Sequence, residues 1–503
     1  MGDGPIHQGI ERASEKFGDR PAILAGERRW SFRQIDSLSN SLALELASGG
    51  IERDNRVAVM MDNRAEFVIC VYAISKLGAA SVLLSPAWRA REIEHAVELT
   101  KPSRAIADEA AAPLLASLLG EGAVSDIDDP GTSGAAFSRD DSRLAVREID
   151  PKSDAVLVFS SGTTGLPKAV RHTHVSLGCA TSHWVSALAL GPDDRFQIAT
   201  PPSHILGLLN LLAAASAGAT VRLHRRFDLD ELLERVSTEH TTLEMAVAPI
   251  ALAIANHPDL EKYDLSSLRY IMWGATPVSE AVAQTVTRRC GVRWLPAYGA
   301  SEVPVLAVNP VADPRLWRLD SAGLPPSGVE LRVVDLDSGD VLEPGAIGEI
   351  QARSASAMAG YLPEEANTEA FSDGWYRTGD VGWLEPAGWV HITDRCKEMI
   401  KVSGFQVAPA EIEAVLHGHP SVLDCAVFGV PDERAGELPV AAVALDPQRP
   451  VSAEELKGLV ASSLATYKAL HDVVIVDDIP RLASGKVLRR VLRERWVTSP
   501  RVP

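Results

Sequence analysis

The sequence predicts an α/β protein. Parallel-sheet subdomains dominate its large N-terminal domain, and a small β-rich subdomain precedes a small α+β C-terminal domain. Up to about residue 275, short β-branched segments alternate with helical patterns, which is typical of βαβ units. From about residue 328, short strands are separated by turns rich in Gly, Pro and Asp. After Asp394 and Arg395 there follow about a hundred residues of mixed helices and strands, an ordinary size for a domain.

Hydrophobic periodicity places the elements of the N-terminal region. Helices are expected at Ser31 to Gly50, Ala65 to Gly78, Ile205 to Ala219 and Leu229 to His240. Strands are expected at Arg56 to Met61, Ser81 to Leu84, Ala155 to Phe159, Thr220 to Leu223, Leu243 to Val247 and Arg269 to Met272. The segment Val124 to Arg143 is rich in Asp, Ser, Gly and Arg, which predicts a surface loop.

The same criteria divide the rest of the chain. The β-rich subdomain is expected to contain strands at Leu331 to Asp335, Gly348 to Arg353 and Trp389 to Thr393. The C-terminal unit is expected to contain a helix at Pro409 to His417 and strands at Cys425 to Gly429 and Val440 to Leu445. We therefore expect an N-terminal domain of residues 1–394 and a C-terminal domain of residues 395–503.

Composition limits the classes of partner. The net charge of −18 argues against nucleic acid or an anionic membrane as a general partner. The five cysteines are scattered and form no C-x-x-C pair, which favours a reducing compartment without disulfides or structural zinc. The polar N-terminus lacks the pattern of a signal peptide, and the longest apolar stretch is too short to span a bilayer. A cytoplasmic location is expected.

A loop rich in hydroxyl groups follows the strand at Ala155 to Phe159. Glycines let backbone N–H groups approach an anion closely, and hydroxyl and ammonium groups add further donors. The loop is not a Walker A loop, because Pro167 stands where its second glycine belongs and Ala169 follows the lysine. It predicts a polyphosphate site, with an ordinary polar surface loop as the alternative. Its donors and glycines are Ser160, Ser161, Gly162, Thr163, Thr164, Gly165 and Lys168.

Further motifs follow along the chain, each of which also occurs in ordinary turns or linkers when taken alone. They are Pro201 to Leu208 with His204, Trp273 to Pro277, Ala297 to Glu302, Trp375 to Asp380, Asp394 to Glu413, and Ser484 to Arg490 with Lys486. In this order they resemble the signatures of the adenylate-forming superfamily, which includes acyl-CoA synthetases, nonribosomal-peptide adenylation domains and luciferases. The resemblance covers essentially the whole chain.

The resemblance implies a nucleotide site for ATP. The loop hydroxyls and Lys168 are expected to hold the leaving phosphates, and the ring of Tyr298 is expected to stack on adenine. Asp380 is expected to accept the ribose hydroxyls, and Arg395 to contact ribose or phosphate. Glu302 suits a phosphate-bound Mg²⁺, which usually takes one or two carboxylates plus substrate phosphates. The remaining residues expected near the nucleotide are Gly274, Ala275, Thr276, Gly299, Ala300 and Ser301.

The resemblance also implies catalysis in two steps by a mobile C-terminal domain. Lys486 is expected to act in adenylate formation, and Lys397 falls at the hinge position. Rotation about the hinge would replace Lys486 by a face that carries Lys401 and Gly404, where a thiol attacks the adenylate. Lys486, Lys401, His204 and Glu302 are the expected catalytic residues.

Departures from the family pattern bear on the substrate. Ala169 replaces a common glycine, a small change that should be tolerated. Ser203 precedes His204, where many such ligases have an aromatic or large apolar residue. Trp273 and Val303 stand next to pocket segments that usually have small residues. We therefore expect a pocket formed by Ser203, His204, Trp273 and Val303 that accepts a small acid or a compact oxyanion.

Three functions remain open at this point. The leading one is an acyl- or aryl-CoA ligase that uses ATP and Mg²⁺ and has CoA as acceptor, since Ser403 to Glu411 looks most like the 4-coumarate–CoA ligase branch. The alternative is a diazotase-like enzyme that activates nitrite with ATP to diazotise an aryl amine without CoA. The third is a non-catalytic binding protein, which the presence of Glu302, Asp380 and Lys486 disfavours.

Overall fold

The computed structural model describes residues 4–129, 148–160, 167–246, 248–274, 280–403, 405–432, 434–481 and 487–498. Its helices are α1 Gln8–Phe17, α2 Phe32–Ser48, α3 Ala65–Lys76, α4 Ala90–Thr100, α5 Ala112–Leu119, α6 His174–Ala187, α7 Ile205–Ala217, α8 Leu229–Glu239, α9 Ala248–Asn256, α10 Glu280–Cys290, α11 Asn367–Ala370, α12 Pro409–His417, α13 Ala453–Ser463 and α14 Arg489–Thr498. Among the described residues, no helix is both long and apolar enough to cross a membrane.

The strands are bounded as follows. They are β1 Pro21–Ala25, β2 Arg28–Ser31, β3 Arg56–Met60, β4 Ala80–Leu83, β5 Arg104–Ala107, β6 Val124–Asp126, β7 Asp154–Ser160, β8 Lys168–Thr173, β9 Arg195–Ile198, β10 Thr220–Leu223, β11 Leu243–Ala246, β12 Tyr270–Trp273, β13 Trp294–Tyr298, β14 Ala307–Val308, β15 Val329–Val334, β16 Gly348–Ser354, β17 Gly360–Leu362, β18 Phe371–Ser372, β19 Trp375–Leu384, β20 Val390–Arg395, β21 Ile400–Val402, β22 Phe405–Val407, β23 Val422–Asp432, β24 Gly436–Leu445 and β25 Asp472–Ile475.

Two mainly parallel sheets form the N-terminal region. The first has the strand order β17-β8-β7-β4-β3-β5-β6, and the second has the order β14-β13-β12-β11-β9-β10-β1-β2. Pairing is parallel from β7 to β6 and from β13 to β1, and antiparallel at β8, β17, β14 and β2. The predicted alternation of strands and helices is therefore confirmed, with βαβ units in both sheets.

The period of two along each strand assigns its faces to different cores. In β3, Val57 and Val59 face a central core shared with α2, α3, α6 and α7, whereas Ala58 and Met60 face α4 and α5. The second sheet also contributes one face to the central core, and its other face packs on α8, α9 and α10. Every residue of α3 is buried, so this helix lies wholly in the interior. The charge of its Lys76 is paired with Asp36.

The β-rich subdomain and the C-terminal unit each form a smaller sheet. The former is antiparallel in the order β15-β16-β19-β18, with β20 paired to β19. The latter has the order β22-β21-β24-β23, with β25 parallel to β24 and helices α12 to α14 packed on it. Both units agree with the predicted fold class.

One expectation for the N-terminal region is wrong in part. The segment that begins at Val124 was expected to be a loop, but Val124–Asp126 form strand β6, which pairs in parallel with Ala105–Ala107 of β5. The free edge of β5 supplies backbone donors and acceptors, so even a polar segment can pair there. The rest of the expected loop, at residues 130–143, lies outside the described residues.

Candidate active site

A cleft of about 1360 Å³ lies where the carboxyl ends of several parallel strands meet the segment that follows β20 and the C-terminal sheet. Open α/β sheets bind ligands at this edge, because the loops that follow the strands converge there. Ser160 of β7, Met245 of β11, Gly274 after β12 and Tyr298 of β13 line the cleft. From the other side it is lined by Cys396, Lys397, Lys401, Gln406 and Arg481.

Tyr298, Asp380 and Arg395 form one hydrogen-bonded group. The Oη of Tyr298 donates to Oδ2 of Asp380 at 2.6 Å, and Nε of Arg395 lies 2.8 Å from Oδ1. The register of β19 and β20 places Asp380 opposite Arg395, so the ion pair follows directly from strand pairing. Asp380 is only 4% exposed. A buried carboxylate with these partners is held rigidly and still has lone pairs available for further donors.

This group perturbs the titration of its own members. Burial, followed by the charge of Asp380, holds the pKa of Tyr298 well above its usual value, so the phenol stays protonated as a donor. The charge of Asp380 also raises the pKa of Arg395. The site therefore keeps one fixed negative and one fixed positive group beside the ring of Tyr298, which lines the cleft.

Glu302 belongs to a tight loop between β13 and β14. A side chain at Gly299 would place its Cβ 2.1 Å from the carbonyl oxygen of Pro304, so the close approach of the loop requires glycine. The Oη of Tyr361 donates to Oε1 of Glu302 at 2.7 Å, and the backbone N–H of Met358 donates to the carbonyl of Glu302 at 2.8 Å. The carboxylate is buried and lines the cleft.

The surroundings of Glu302 suit a cation bound together with phosphates. Among the described residues, no cluster of three or more acidic, His or Cys side chains offers a complete protein cage for a metal. A single buried carboxylate that faces the cleft matches the way Mg²⁺ is held, by one or two carboxylates with phosphates and waters as the other ligands. The residues present therefore fit a magnesium ion delivered with a nucleotide.

Tyr361 was not among the predicted site residues. Besides its bond to Glu302, its ring lies 5.2 Å from Nζ of Lys168, within the range of a cation–π contact. Burial, and then the charge of Glu302, raises the pKa of Tyr361, which keeps its hydroxyl a donor. No local motif identifies this residue, because the contact depends on the pairing of β17 with β8.

Neighbouring side chains hold both ends of the hydroxyl-rich segment between β7 and β8. At its start, the ring of Phe159 packs edge-to-face on Trp88 at 5.1 Å between centroids. At its end, Nε2 of His95 donates to the carbonyl of Pro167 at 3.0 Å, next to Lys168. Ser160 and Lys168 are paired in the β7–β8 register and both line the cleft. The predicted residues Ser161, Gly162, Thr163, Thr164 and Gly165 lie outside the described residues.

His204 and Ser203 lie at the start of α7 and line the cleft. Nδ1 of His204 accepts from the N–H of Leu206 at 3.3 Å, so the ring caps the helix. Burial lowers the pKa of His204, and the charge of Glu302 opposes this, so the imidazole is neutral near pH 7. Gly207 lies against the carbonyl of Pro201, where a Cβ would come within 2.2 Å.

Asp394, near the end of β20, contacts the start of α12 in the C-terminal unit. Its Oδ2 accepts from the N–H of Ala410, at the start of α12, at 3.0 Å, and its Oδ1 accepts from the N–H of Arg395 at 2.7 Å. Burial raises the pKa of Asp394 to about 6, although the charge of Arg489 opposes the shift. Lys401, in the β21–β22 hairpin opposite Gln406, faces the cleft. Gly404 and Lys486 lie outside the described residues, as do Ala275 and Thr276.

The expected roles of Trp273 and Val303 as pocket walls are wrong. Trp273 is 2% exposed and packs edge-to-face on Trp294 at 5.3 Å, in the core beneath α8 to α10. The alternation along β12 turns Trp273 away from the cleft and brings the following residue, Gly274, to it. Val303 is buried in the central core. Neither belongs to the described residues that line the cleft, so neither restricts its volume.

Apolar side chains, of which only Leu206 belongs to a motif quoted above, also line the cleft. They are Trp184, Leu206, Leu209, Met245 and Ile250. The indole of Trp184 is fixed by its Nε1, which donates to Oδ1 of Asn210 at 2.7 Å. This wall suits an apolar or planar aromatic group rather than a small oxyanion alone. A helical apolar pattern marks these residues as buried but does not show that they face a cleft.

Comparison with known proteins places these features in a family. The family described as AMP-binding enzyme matches residues 10–362, and the one described as AMP-binding enzyme C-terminal domain matches residues 411–486. The chain is 33% identical to a 4-coumarate–CoA ligase of Pinus taeda over 510 residues, which cover 98% of this chain and 95% of that protein.

Solved structures agree over nearly the whole length. The ATP-bound structure of MatB from Rhodopseudomonas palustris matches with a TM-score of 0.91 and 25% identity, covering 98% of this chain and 99% of that one. The amide bond synthetase McbA from Marinactinospora thermotolerans matches with a TM-score of 0.89 and 29% identity, covering 98% and 100%. The chain therefore belongs to the AMP-binding enzyme family of the adenylate-forming superfamily and is an AMP-forming ligase.

Proposed function

We propose that this protein activates an apolar or aromatic carboxylic acid as its acyl-adenylate and then transfers the acyl group to CoA. The observation that carries the proposal is a single cleft with three kinds of wall. Tyr298 and Arg395, joined through the buried Asp380, form a nucleotide-side wall. The wall around Trp184 suits an organic acid, and Lys401 reaches the cleft from the C-terminal domain. The relative named for 4-coumarate, an aromatic acid, supports this choice of substrate class.

The first step joins two anions, so its barrier is largely electrostatic. A carboxylate oxygen of the acid attacks the α-phosphorus of ATP, and the bond from that phosphorus to the bridging oxygen of pyrophosphate breaks. Lys168 holds the leaving phosphates and Lys486 neutralises charge at the reacting centre. A magnesium ion held by Glu302 would lower the charge on the same phosphates when bound. Asp380 orients the ribose and Tyr298 stacks on adenine.

In the second step a thiol attacks the acyl carbon, and AMP leaves with the electrons of the acyl–oxygen bond. The proton of the thiol passes to water. We assign this step to the cleft wall that carries Lys401, which replaces Lys486 when residues 395–503 turn about a hinge near Lys397. His204, neutral and fixed as the cap of α7, lines the same cleft. The domain boundary at residues 394 and 395 belongs to this proposal.

The substrate proposal is tested by ATP consumption with short-chain, long-chain, aromatic and amino-aromatic acids and with nitrite, each with and without CoA. We expect pyrophosphate release with an aromatic or apolar acid and an acyl-CoA product only when CoA is added. An amide formed with an added amine in place of a thioester would contradict the choice of acceptor. Absence of ATP turnover with every acid would contradict the proposal as a whole.

The diazotase alternative is not proposed. The expected compact pocket left it open, and the placement of Trp273 in the core removes that support. The ligase and the synthetase reported above are named for CoA and amide chemistry, and neither is named for nitrite. AMP formation that needs nitrite and an aryl amine, and that ignores CoA, would restore this alternative.

Two arginines at the rim of the cleft lead to a prediction about the acceptor. The side chains of Arg225 and Arg226 are 74% and 84% exposed, and both point to one carboxylate oxygen of Asp62, at 3.2 and 3.9 Å. Two guanidinium groups that share one carboxylate leave a net positive charge at the rim, which suits the phosphates of CoA.

Replacing both Arg225 and Arg226 with alanine is therefore expected to raise the KM for CoA. Two exposed ionic contacts of about 0.5–1 kcal/mol each correspond to about a fivefold to thirtyfold increase. The rate of pyrophosphate–ATP exchange should stay within about twofold, because the rim lies outside the adenylation centre. The exposed Arg29, which does not line the cleft, gives the matched control Arg29→Ala. An unchanged KM in the double variant would remove the arginines from the CoA site.

A further inference from the structure

His172 is a buried residue of β8 that lies outside every motif discussed above. It is 0% exposed, and its Nε2 lies 2.8 Å from the carbonyl oxygen of Ser301. A carbonyl oxygen only accepts hydrogen bonds, so Nε2 carries the proton and donates. Burial lowers the pKa of His172, so the ring is neutral. Nδ1 is then an acceptor, 3.2 Å from the hydroxyl oxygen of Ser176.

The bond from His172 ends next to the carboxylate expected to bind the metal. Ser301 immediately precedes Glu302 in the tight loop after β13. The backbone of Glu302 is held on its other side by the N–H of Met358, and its side chain is held by Tyr361. The loop is thus fixed at successive residues from two directions.

The restraints from His172 and Tyr361 come from one pair of strands. β8 begins at Lys168 and carries His172, and it pairs with β17, in which Tyr361 stands opposite Val170. The N–H of Ala359 also donates to the carbonyl of Arg171 at 2.8 Å. A paired strand is stiff over this distance, so the same ribbon sets the position of the Lys168 ammonium and of the Glu302 carboxylate.

We propose that His172 is a positioning residue that fixes Glu302 relative to Lys168, so that the carboxylate and the ammonium face the same phosphate groups. The inference rests on the proposed adenylation activity but concerns a residue that neither touches the nucleotide nor lines the cleft. Displacement of a catalytic group by about 1 Å can cost a factor of about 100 in rate. A hydrogen bond to Ser301, the residue before Glu302, can therefore affect the rate by fixing the position of Glu302.

The test compares two variants that differ in one donor. In His172→Gln, the side-chain amide can still donate to the carbonyl of Ser301, whereas His172→Leu keeps the bulk and removes the donor. We expect the Kd of Mg²⁺-bound, non-hydrolysable ATP, measured by calorimetry, to rise about tenfold in His172→Leu and less than about threefold in His172→Gln. The Kd of the same analogue without Mg²⁺ should change little in either variant.

Two further measurements separate positioning from folding. Pyrophosphate–ATP exchange should fall about tenfold or more in His172→Leu, while thioester formation from supplied acyl-adenylate stays within about twofold of the unmodified protein. The matched control is His174→Leu. His174 is equally buried two residues later, but it accepts from the N–H of Ile6. This control should lose stability without a change in the magnesium dependence.

The outcomes distinguish the inference from the proposed function. Equal losses in both half-reactions, or identical behaviour of the Gln and Leu variants, would show that His172 has only a structural role. Absence of exchange by the unmodified protein with every acid would contradict the proposed function, while the calorimetric comparison would still decide the role of His172.

Discussion

Replacing Lys486 with alanine is expected to lower the rate of acyl-adenylate formation by about 10²- to 10³-fold. Thioester formation from supplied acyl-adenylate should change by less than about threefold. The reason is electrostatic. The attack of a carboxylate on a phosphate needs a cation at the reacting centre, whereas the later attack of a thiol on the acyl carbon of the adenylate does not. Pyrophosphate–ATP exchange and single-turnover thioester formation measure the two steps separately.

Lys401→Ala is the natural counterpart, since Lys401 faces the cleft from the C-terminal hairpin. It should slow the thioester step and leave pyrophosphate exchange nearly unchanged. Lys397→Pro should act in the same direction by stiffening the proposed hinge. If both half-reactions fell equally in each of these variants, alternation of the C-terminal domain would be contradicted.

Replacing Glu244 with glutamine is expected to stabilise the protein strongly at pH 8. Glu244 is 1% exposed in β11, and burial raises its pKa from 4.5 to about 8, against a hydrogen bond of 2.9 Å from Gln197. Within the part of the chain that the structure describes, its Oε1 has no hydrogen-bond partner. Arg222 of β10 and Glu239 of α8, which lie nearby, pair with each other. The folded protein therefore prefers the neutral carboxyl.

The sign of the pH dependence follows from the raised pKa. The folded state holds the proton of Glu244 more tightly than the unfolded state does. The stability that this proton contributes is therefore fully present below pH 4.5 and falls as the pH rises towards about 8. The loss amounts to about 1 kcal/mol at pH 5 and about 4 kcal/mol at pH 8. Glutamine keeps the shape without the titration, so its advantage should be large at pH 8 and small at pH 5.

Urea unfolding at both pH values measures this difference. The matched control is Glu239→Gln, which removes an ion pair with Arg222 and should destabilise the protein at both pH values. An advantage of Glu244→Gln that is equal at pH 5 and pH 8 would show that the carboxyl does not titrate as described.

Much of the fold could be predicted from the sequence because local signals decide it. The pattern at Pro409 to His417 gave the helix bounds that the structure has, since proline starts α12 and Gly418 follows it. Strand β6 was missed because its three residues have no period of their own, and only the free edge of β5 makes them a strand. The order of strands in each sheet is a long-range property that periodicity does not contain.

The site was predictable where a motif places a residue directly on the cleft. Tyr298, Asp380 and Arg395 lie together. Motif spacing alone could not show this, because the contact between Asp380 and Arg395 depends on the β19–β20 register. Trp273 was misplaced because neighbouring residues of a strand face opposite sides, and proximity in sequence to Gly274 was taken for proximity to the pocket. Tyr361 and His172 were missed because they act through β8 and β17.

On the proposed mechanism, one cleft makes an acyl-adenylate from ATP and an organic acid before any acceptor is involved. Exchange of labelled pyrophosphate into ATP, measured with the acid panel in the absence of CoA, tests it most directly. We expect exchange that depends on an apolar or aromatic acid, is lost in Lys486→Ala and persists in Lys401→Ala. No exchange with any acid, or exchange that requires CoA, would contradict it.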